Sequence, residues 1–312
     1  MEGSASAVKL SLVIPIYNEE ALIAPLLQRT VAIMAAITED FEIICVDDGS
    51  SDRSLERMLD FRRREQRLKI ISLSRNFGHQ AAYTAGLENA RGDYVVMMDG
   101  DLQDPPELIP QMVEAAQTRR LDIIHARRTG RRETLFKRIL LYIFHHVFNR
   151  LSGMENIRNI GNFSLMNRQA LNALLSFKEK TRYLPGLRFF IGFRQGFVDY
   201  ERDDRHAGRA KMSLSALYKL ALDALFSFSE IPIRLCLLIG LTGVIICFAA
   251  FIYVLVSKFT GIAPFGWSST TLSIYFMGFI QLIFLGILGE YLFRTYHESR
   301  NRPVYLIREI IE

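Results

Sequence analysis

The sequence predicts an α/β fold with a mostly parallel sheet, followed by a C-terminal pair of membrane-spanning helices. Three observations carry this. From Leu10 to Arg127, short Val- and Ile-rich runs alternate with stretches of helical character, the pattern of a parallel sheet. Near the C-terminus two uncharged apolar runs, Leu235–Ser257 and Thr270–Gly289, fall one after the other. Half of the 312 residues are apolar, yet the net charge is +5, a pairing ordinary for a membrane protein with a soluble part.

The elements follow in order. Leu10–Tyr17 (LSLVIPIY) reads as a strand ended by Pro15 and Asn18, and Glu19 to Thr38 as a helix with apolar residues at helical spacing. Phe41–Asp48 (FEIICVDD) is a second strand; Gly49 turns the chain and Asp52 is expected to cap the next helix. LKIISLS is a third strand, GHQAAYTAGLENA a helix closed by Gly92, and DYVVMMD a fourth strand. PPELIPQMVEAAQT is a helix with prolines in its first turn, and LDIIHAR a fifth strand. Thr134–Gly153 and Ser213–Glu230 are apolar with basic flanks and read as interfacial helices lying on a bilayer. As helices, the two spans measure about 35 and about 30 Å, enough to cross the hydrocarbon layer, and KFTGIAPFGWSST between them is a turn.

These boundaries give a catalytic domain over 1–212, a juxtamembrane amphipathic helix over 213–232, a hairpin over 233–291 with spans near 235–257 and 270–290, and a tail over 292–312. The loop between the spans holds only Lys258, whereas Arg234 precedes the first and Arg294, Arg300, Arg302 and Arg308 follow the second. The excess of positive charge places both ends, and the catalytic domain with them, in the cytoplasm. MEGSASAVKL lacks the apolar segment of a signal peptide. Of the three cysteines, Cys236 and Cys247 would lie about 16 Å apart on one helix, too far to bridge, and Cys45 falls in a strand. No disulfide framework or CxxC metal spacing is present.

In parallel α/β sheets, ligands bind at the carboxyl ends of the strands. VDDGSSD and MDGDLQD both stand there, so two acidic clusters face one crevice. An isolated Asp-Gly-Asp after a strand is more often a turn; a second acidic cluster and a wholly apolar strand favour a site. Neither GxGxxG nor GxxxxGK[ST] occurs, so neither a dinucleotide fold nor a P-loop is indicated. Carboxylates repel phosphates unless a divalent cation lies between them, and hard oxygen ligands suit Mg²⁺ or Mn²⁺. Asp99 and Asp101 are the expected metal ligands and the metal would hold a diphosphate.

SLVIPIYNEE, VDDGSSD, SRNFGHQAA and MDGDLQDPP resemble the nucleotide-sugar half of family 2 glycosyltransferases, which implies a GT-A fold. RDDRHAGRAKMSLSALYKLALDALFSFSEIPIR and GILGEYLFRTYHESRNRPVYLI narrow the resemblance to polyprenyl-phosphate glycosyltransferases, bacterial bactoprenol glucosyltransferases above all, with dolichyl-phosphate mannosyltransferase-like enzymes akin to them. QxxRW, a motif of processive polysaccharide synthases, is missing, and the single tryptophan, Trp267, lies between the spans. The resemblance implies that Pro15, Tyr17 and Glu19 border the nucleoside, that Asp48 reaches the base with Asp47 and Ser50 beside it, that Arg75 sits near the nucleotide, and that Asp99 and Asp101 form the DxD pair. Where many relatives have Asp in a GDF element, this chain has Asn162, which can bond sugar hydroxyls but cannot act as a base.

The implied reaction moves a hexose, with inversion, from a UDP-sugar to undecaprenyl phosphate at the bacterial inner membrane. Glucose is expected; mannose, an N-acetylhexosamine or a modified pentose is the alternative, and a non-catalytic nucleotide-binding scaffold the competing class. A two-span transporter fits poorly. A homo-oligomer, a tetramer among its forms, is implied, and no nucleic acid is expected as partner. A phosphate acceptor with a second pKa near 6 is largely dianionic at neutral pH and hardly requires a base; it requires cations. Two basic clusters, one from Arg127 to Arg138 and one from Arg202 to Lys211, could supply them, Arg being well shaped for phosphate; most of their residues are expected to face solvent or anionic headgroups, and the resemblance to the family's basic positions singles out Arg127, Arg131, Arg205 and Lys211 as the acceptor-phosphate residues. Asp104 could orient the acceptor, act as a weak base, or cap the helix that follows. His79 reads as a surface or helix-start residue, and no histidine stands at metal-ligand spacing. Glu290 is placed at the water boundary of the second span.

Overall fold

The computed structural model describes residues 9–129, 160–180, 182–201 and 266–312, together with isolated positions in 242–252. Arg131, Arg205, Lys211, both expected interfacial helices and most of the first expected span lie outside them.

The chain lays down strand β1 (Leu10–Ile16), helix α1 (Ile23–Ile37), β2 (Phe41–Asp47), α2 (Ser54–Arg62), β3 (Leu68–Leu73), α3 (His79–Glu88), β4 (Tyr94–Met97) and, after a 3₁₀ turn at Pro106–Leu108, α4 (Ile109–Thr118). Then come β5 (Ile123–Thr129), β6 (Ile160–Asn167), α5 (Arg168–Ser176), α6 (Leu184–Phe190), β7 (Gln195–Glu201), the long α7 (Trp267–Ser299) and β8 (Ile307–Ile311). The eight strands form one sheet in the order β7-β5-β6-β4-β1-β2-β3-β8. β4, β1, β2 and β3 are mutually parallel, as are β5 and β7; β6 and β8 run against their neighbours. Every residue of β1 is buried, which is why the strand lacks polar alternation: a parallel strand covered on both faces is apolar throughout. Gly86 lets α3 sit directly on β1, since a Cβ there would stand 2.3 Å from Val13 Cγ1. Strand order reverses at β1, with β4 on one side and β2 on the other, and such a switch point leaves a crevice at the strands' carboxyl ends.

Several expectations are corrected. The first helix begins at Ile23 rather than Glu19: Asn18 turns the chain at φ +53°, and the backbone N–H groups of Glu19 and Glu20 donate across to Ser54 Oγ at 2.9 Å and Asp52 Oδ2 at 3.1 Å. Asp52 acts at the start of α2 as expected, its Oδ1 accepting from Ser54 N at 2.9 Å one residue ahead of the formal cap position at Arg53, while its Oδ2 ties in the β1 loop. Pro105 and Pro106 open a 3₁₀ turn, and the α-helix waits until Ile109. Two strands that the sequence reading had not drawn, β6 and β7, separate β5 from β4 and flank its other side.

The 292–312 tail is not a segment apart. Its β8 pairs antiparallel with β3, and 302–312 cluster with 1–211 in one compact unit. Leu306 O accepts from Ser74 N at 2.9 Å, Arg308 donates to Ser74 O at 3.0 Å, and Lys69, itself buried, meets Glu312. An edge strand satisfies the outer N–H and C=O groups of β3, which a free tail would leave exposed.

Residues 212–301 form the second unit. Its described helix α7 starts at Trp267, inside the expected turn, and runs past the expected end of the span. Phe276–Phe293, with a mean hydropathy of 1.8 and none of it buried within the protein, is long and apolar enough to cross a membrane.

Candidate active site

A cavity of about 260 Å³ opens at the switch point. Its wall is built from the end of β1 (Pro15, Ile16, Tyr17, Glu19), from Asp48 after β2, from Asn76 and Gly78 before α3, from His79 and Ala82 on α3, and from Asp99, Gly100 and Asp101 after β4. Of the expected donor-side residues, Pro15, Tyr17, Glu19, Asp48, Asp99 and Asp101 are thus brought together.

Asp99 Oδ1 accepts from Tyr83 Oη at 2.7 Å and lies 3.2 Å from His79 Nε2. Burial would push this carboxyl up, but the two donors more than offset it and hold Asp99 at about 2, an anion at every working pH. Burial likewise opposes a charge on His79, whereas Asp99, with Asp101 and Asp48 behind it, raises its pKa overall. Gly100 fits where nothing larger does: a Cβ would stand 2.8 Å from Ile16 Cδ1 and 3.1 Å from Pro15 O. Leu102 adopts φ +57°, uncommon for a residue with a side chain, and the turn brings Gln103 N to Asp101 Oδ1 at 3.2 Å. The Asp-Gly-Asp run is therefore a tight turn and a site at once.

Asp48 is buried and accepts from Phe77 N at 2.7 Å and Gly78 N at 2.9 Å. Burial raises its pKa, and the two amides act against that. It shapes the loop before α3 as well as lining the cavity. Asp47, Ser50 and Arg75 do not line it. Asp47 accepts from Ser50 N at 3.1 Å, Ser50 Oγ accepts from Asn18 N at 3.1 Å, and Arg75 stacks 4.2 Å over the Phe77 ring. Each braces a loop of the wall. Asn162 stands on β6, its Oδ1 3.4 Å from Gln80 Nε2, outside the lining.

Asp104 is fully buried, receives the Tyr200 hydroxyl at 2.6 Å and has Arg128 at 3.5 Å. It lies outside the cavity wall, its carboxylate engaged with Tyr200 and Arg128. Arg127 points the other way. Its guanidinium makes a bidentate pair with Asp199 at 2.6 and 2.9 Å on the exposed face, so this cation is already engaged. The lining residues that the sequence does not point to are Ile16, Asn76, Gly78, Ala82 and Gly100, with Tyr83 beneath the wall, and His79, expected at a surface or helix start, does begin α3 and also lines the cavity. The available signal was NFGHQ, which follows a strand end just as the acidic clusters do.

Among the described residues no three His, Cys, Asp or Glu side chains converge to cage a metal ion. A pair of carboxylates beside a phosphate-sized crevice nonetheless fits Mg²⁺ or Mn²⁺, which bind through one or two carboxylates and complete their shell with substrate phosphates and water.

The open sheet, its switch-point cavity and the paired carboxylates define a GT-A-like α/β protein. The chain belongs to glycosyl transferase family 2, whose model matches residues 11–175, and it is a glycosyltransferase. It is 37% identical to an uncharacterized glycosyltransferase of Synechocystis over 97% of this chain and 96% of that one. It is 35% identical to the prophage bactoprenol glucosyl transferase homolog of Escherichia coli, covering 97% and 99%, and 34% identical to the bactoprenol glucosyl transferase of a Shigella phage, covering 96% and 98%. Among solved structures, glucosyl-3-phosphoglycerate synthase from Mycobacterium tuberculosis, in complex with Mn²⁺, uridine diphosphate and glucosyl-3-phosphoglycerate, superposes with a TM-score of 0.50 at 20% identity over 71% of this chain and 80% of that one; this likeness speaks for the fold.

Proposed function

We propose that the protein transfers a hexose, glucose in the first instance, from a UDP-sugar to undecaprenyl phosphate at the cytoplasmic face of a bacterial membrane, with inversion. The observation that carries this is the Asp99/Asp101 pair at the mouth of the switch-point cavity in a chain alike, end to end, to proteins named bactoprenol glucosyl transferase. In the reaction an oxygen of the acceptor phosphate forms a bond to the anomeric carbon as the bond from that carbon to the β-phosphate oxygen breaks, and UDP leaves. A dianionic acceptor becomes a diester with one charge, and the departing diphosphate gains that charge, so no proton need be moved.

A divalent cation held by Asp99 and Asp101 would neutralise charge on the departing diphosphate. The chain's own residues do the rest. Pro15, Tyr17, Glu19 and Asp48 border the nucleoside, and Asp48 also fixes the loop that closes over it. Arg131, Arg205 and Lys211 receive the acceptor phosphate; Arg127 can join them only by releasing Asp199. Membrane association through α7, with Leu235–Ser257 as a second span and assembly into a homo-oligomer, keeps the headgroup of the lipid within reach while its tail stays in hydrocarbon.

The test is a panel of radiolabelled UDP-glucose, UDP-N-acetylglucosamine, GDP-mannose and a UDP-pentose given to membranes containing the protein. Label from UDP-glucose should enter a mild-acid-labile lipid, and chelation should abolish this. Asp101→Asn should lose at least about 100-fold in rate, several kcal/mol of charge stabilisation being at stake, while remaining folded and inserted. Transfer from another donor would reassign the sugar; transfer surviving full chelation would remove the metal from the scheme.

A further inference from the structure

Asp99 is gripped by one oxygen only. Both the Tyr83 hydroxyl, at 2.7 Å, and His79 Nε2, at 3.2 Å, meet Oδ1, and among the described residues no donor reaches Oδ2. The two donors sit four residues apart on α3, hence on one face of the helix. Their rings pack edge to face, with centroids 4.9 Å apart. Tyr83 is fully buried, and the glycine contact of α3 with β1 leaves that helix no room to shift. The carboxylate is thus presented to the cavity in one orientation, although the torsion of a carboxyl group is otherwise broad.

We propose that His79 and Tyr83 are positioning residues for metal–diphosphate binding, holding Asp99 by Oδ1 so that Oδ2 faces the donor. The inference rests on the metal-diphosphate reading above. Ligating carboxylates are commonly fixed by such outer hydrogen bonds, whose loss weakens metal binding about 10–100-fold. Packing alone would not call for two polar donors on one oxygen. A leucine at position 83 could fill the space under the cavity, and His79 is about half exposed at its side chain (47%), where it contributes little to the core.

The experiment reads Mn²⁺ binding by the full-length protein in detergent, by electron paramagnetic resonance, with and without UDP. Tyr83→Phe, which removes only the hydroxyl, and His79→Ala should each weaken Mn²⁺ binding in the presence of UDP about 10–100-fold. His79→Gln, which keeps a nitrogen donor, should restore most of it. The melting temperature of His79→Ala should stay near that of the wild type, as expected for a half-exposed side chain. Wild-type Mn²⁺ affinity in His79→Ala and Tyr83→Phe would overturn the inference, as would loss of thermal stability with unchanged affinity in the folded protein. If the wild type itself bound no Mn²⁺ in the presence of UDP, the metal-diphosphate reading would fall first, and this inference with it.

Discussion

His125 on β5 stacks against Phe189 at 4.6 Å and Phe197 at 5.7 Å, and its Nε2 lies 2.8 Å from Gln195 Oε1. Because Gln195 Nε2 donates to Arg188 O, its oxygen must accept, so His125 Nε2 carries a proton, and among the described residues the buried Nδ1 has no hydrogen-bond partner. Burial, seconded by the nearby Arg188 charge, pushes its pKa down to about 3. Between about 3 and the ordinary 6.5 the unfolded chain holds a proton that the folded one does not, so stability falls as the pH drops below about 6.5, by up to about 1.4 kcal/mol per pH unit. We expect urea midpoints in detergent to decline from pH 6.5 to 5.5, a window above the ordinary carboxylate titrations, and His125→Phe to flatten that decline. An unchanged slope would assign the acid sensitivity elsewhere. Residues like this show what the sequence could and could not display. The strand that carries His125 was legible; the stacking partners of its ring were not, since they arrive on elements more than sixty residues later. The neighbouring arginines make the same point. Alternation along a strand sends Arg127 and Arg128 to opposite faces. Which of them meets Asp199 and which meets Tyr200 and Asp104 depends on β7, a strand the sequence reading did not draw.

At the scale of elements, the central four strands could be read because a parallel strand buried on both faces is a near-continuous apolar run, broken here only by single residues such as Ser11, Glu42, Lys69 and Ser72. β8 resisted the same reading. At a sheet edge it is largely exposed, and its Arg308 and Glu309 suggest a solvated tail. Yet it bears on the donor site. Leu306 and Arg308 hold Ser74, three residues before Phe77, whose amide joins that of Gly78 on Asp48. Tyr305 also donates to Glu88 at the far end of α3. Both ends of the segment that carries His79 and Tyr83 are therefore tied to the tail. Ending the chain after Arg302 should cost more than about 2 kcal/mol, from several hydrogen bonds each worth about 1 kcal/mol net. The amides of 74–78 should then exchange faster while those of β1 stay protected, which hydrogen exchange can follow peptide by peptide. Equal protection in the truncated protein would confine β8 to covering an edge.

For the whole molecule, the sequence pairs an apolar half with a positive charge, and the structure gives that pairing one clear element. α7 has 33 residues and so measures about 50 Å against a hydrocarbon thickness of about 30 Å. Its apolar window ends at Phe293, and the helix continues to Ser299 through Arg294 and Glu298, so its last turns belong in water. Glu290 falls within the window's final turn. On the proposal that Leu235–Ser257 is a partner span and that the donor is a UDP-sugar supplied from the cytoplasm, Lys258–Gly266 faces the side opposite to Arg300–Arg308, and the second of these lies inside. The orientation can be read with an impermeant maleimide after Cys45, Cys236 and Cys247 are replaced by serine. Asn301→Cys should label only in inverted vesicles, and Thr260→Cys only in intact spheroplasts. Labelling of both positions from one side would leave α7 without a returning partner. Labelling of Asn301→Cys from outside would part the donor cavity from its nucleotide, and the proposed transfer could not run as written.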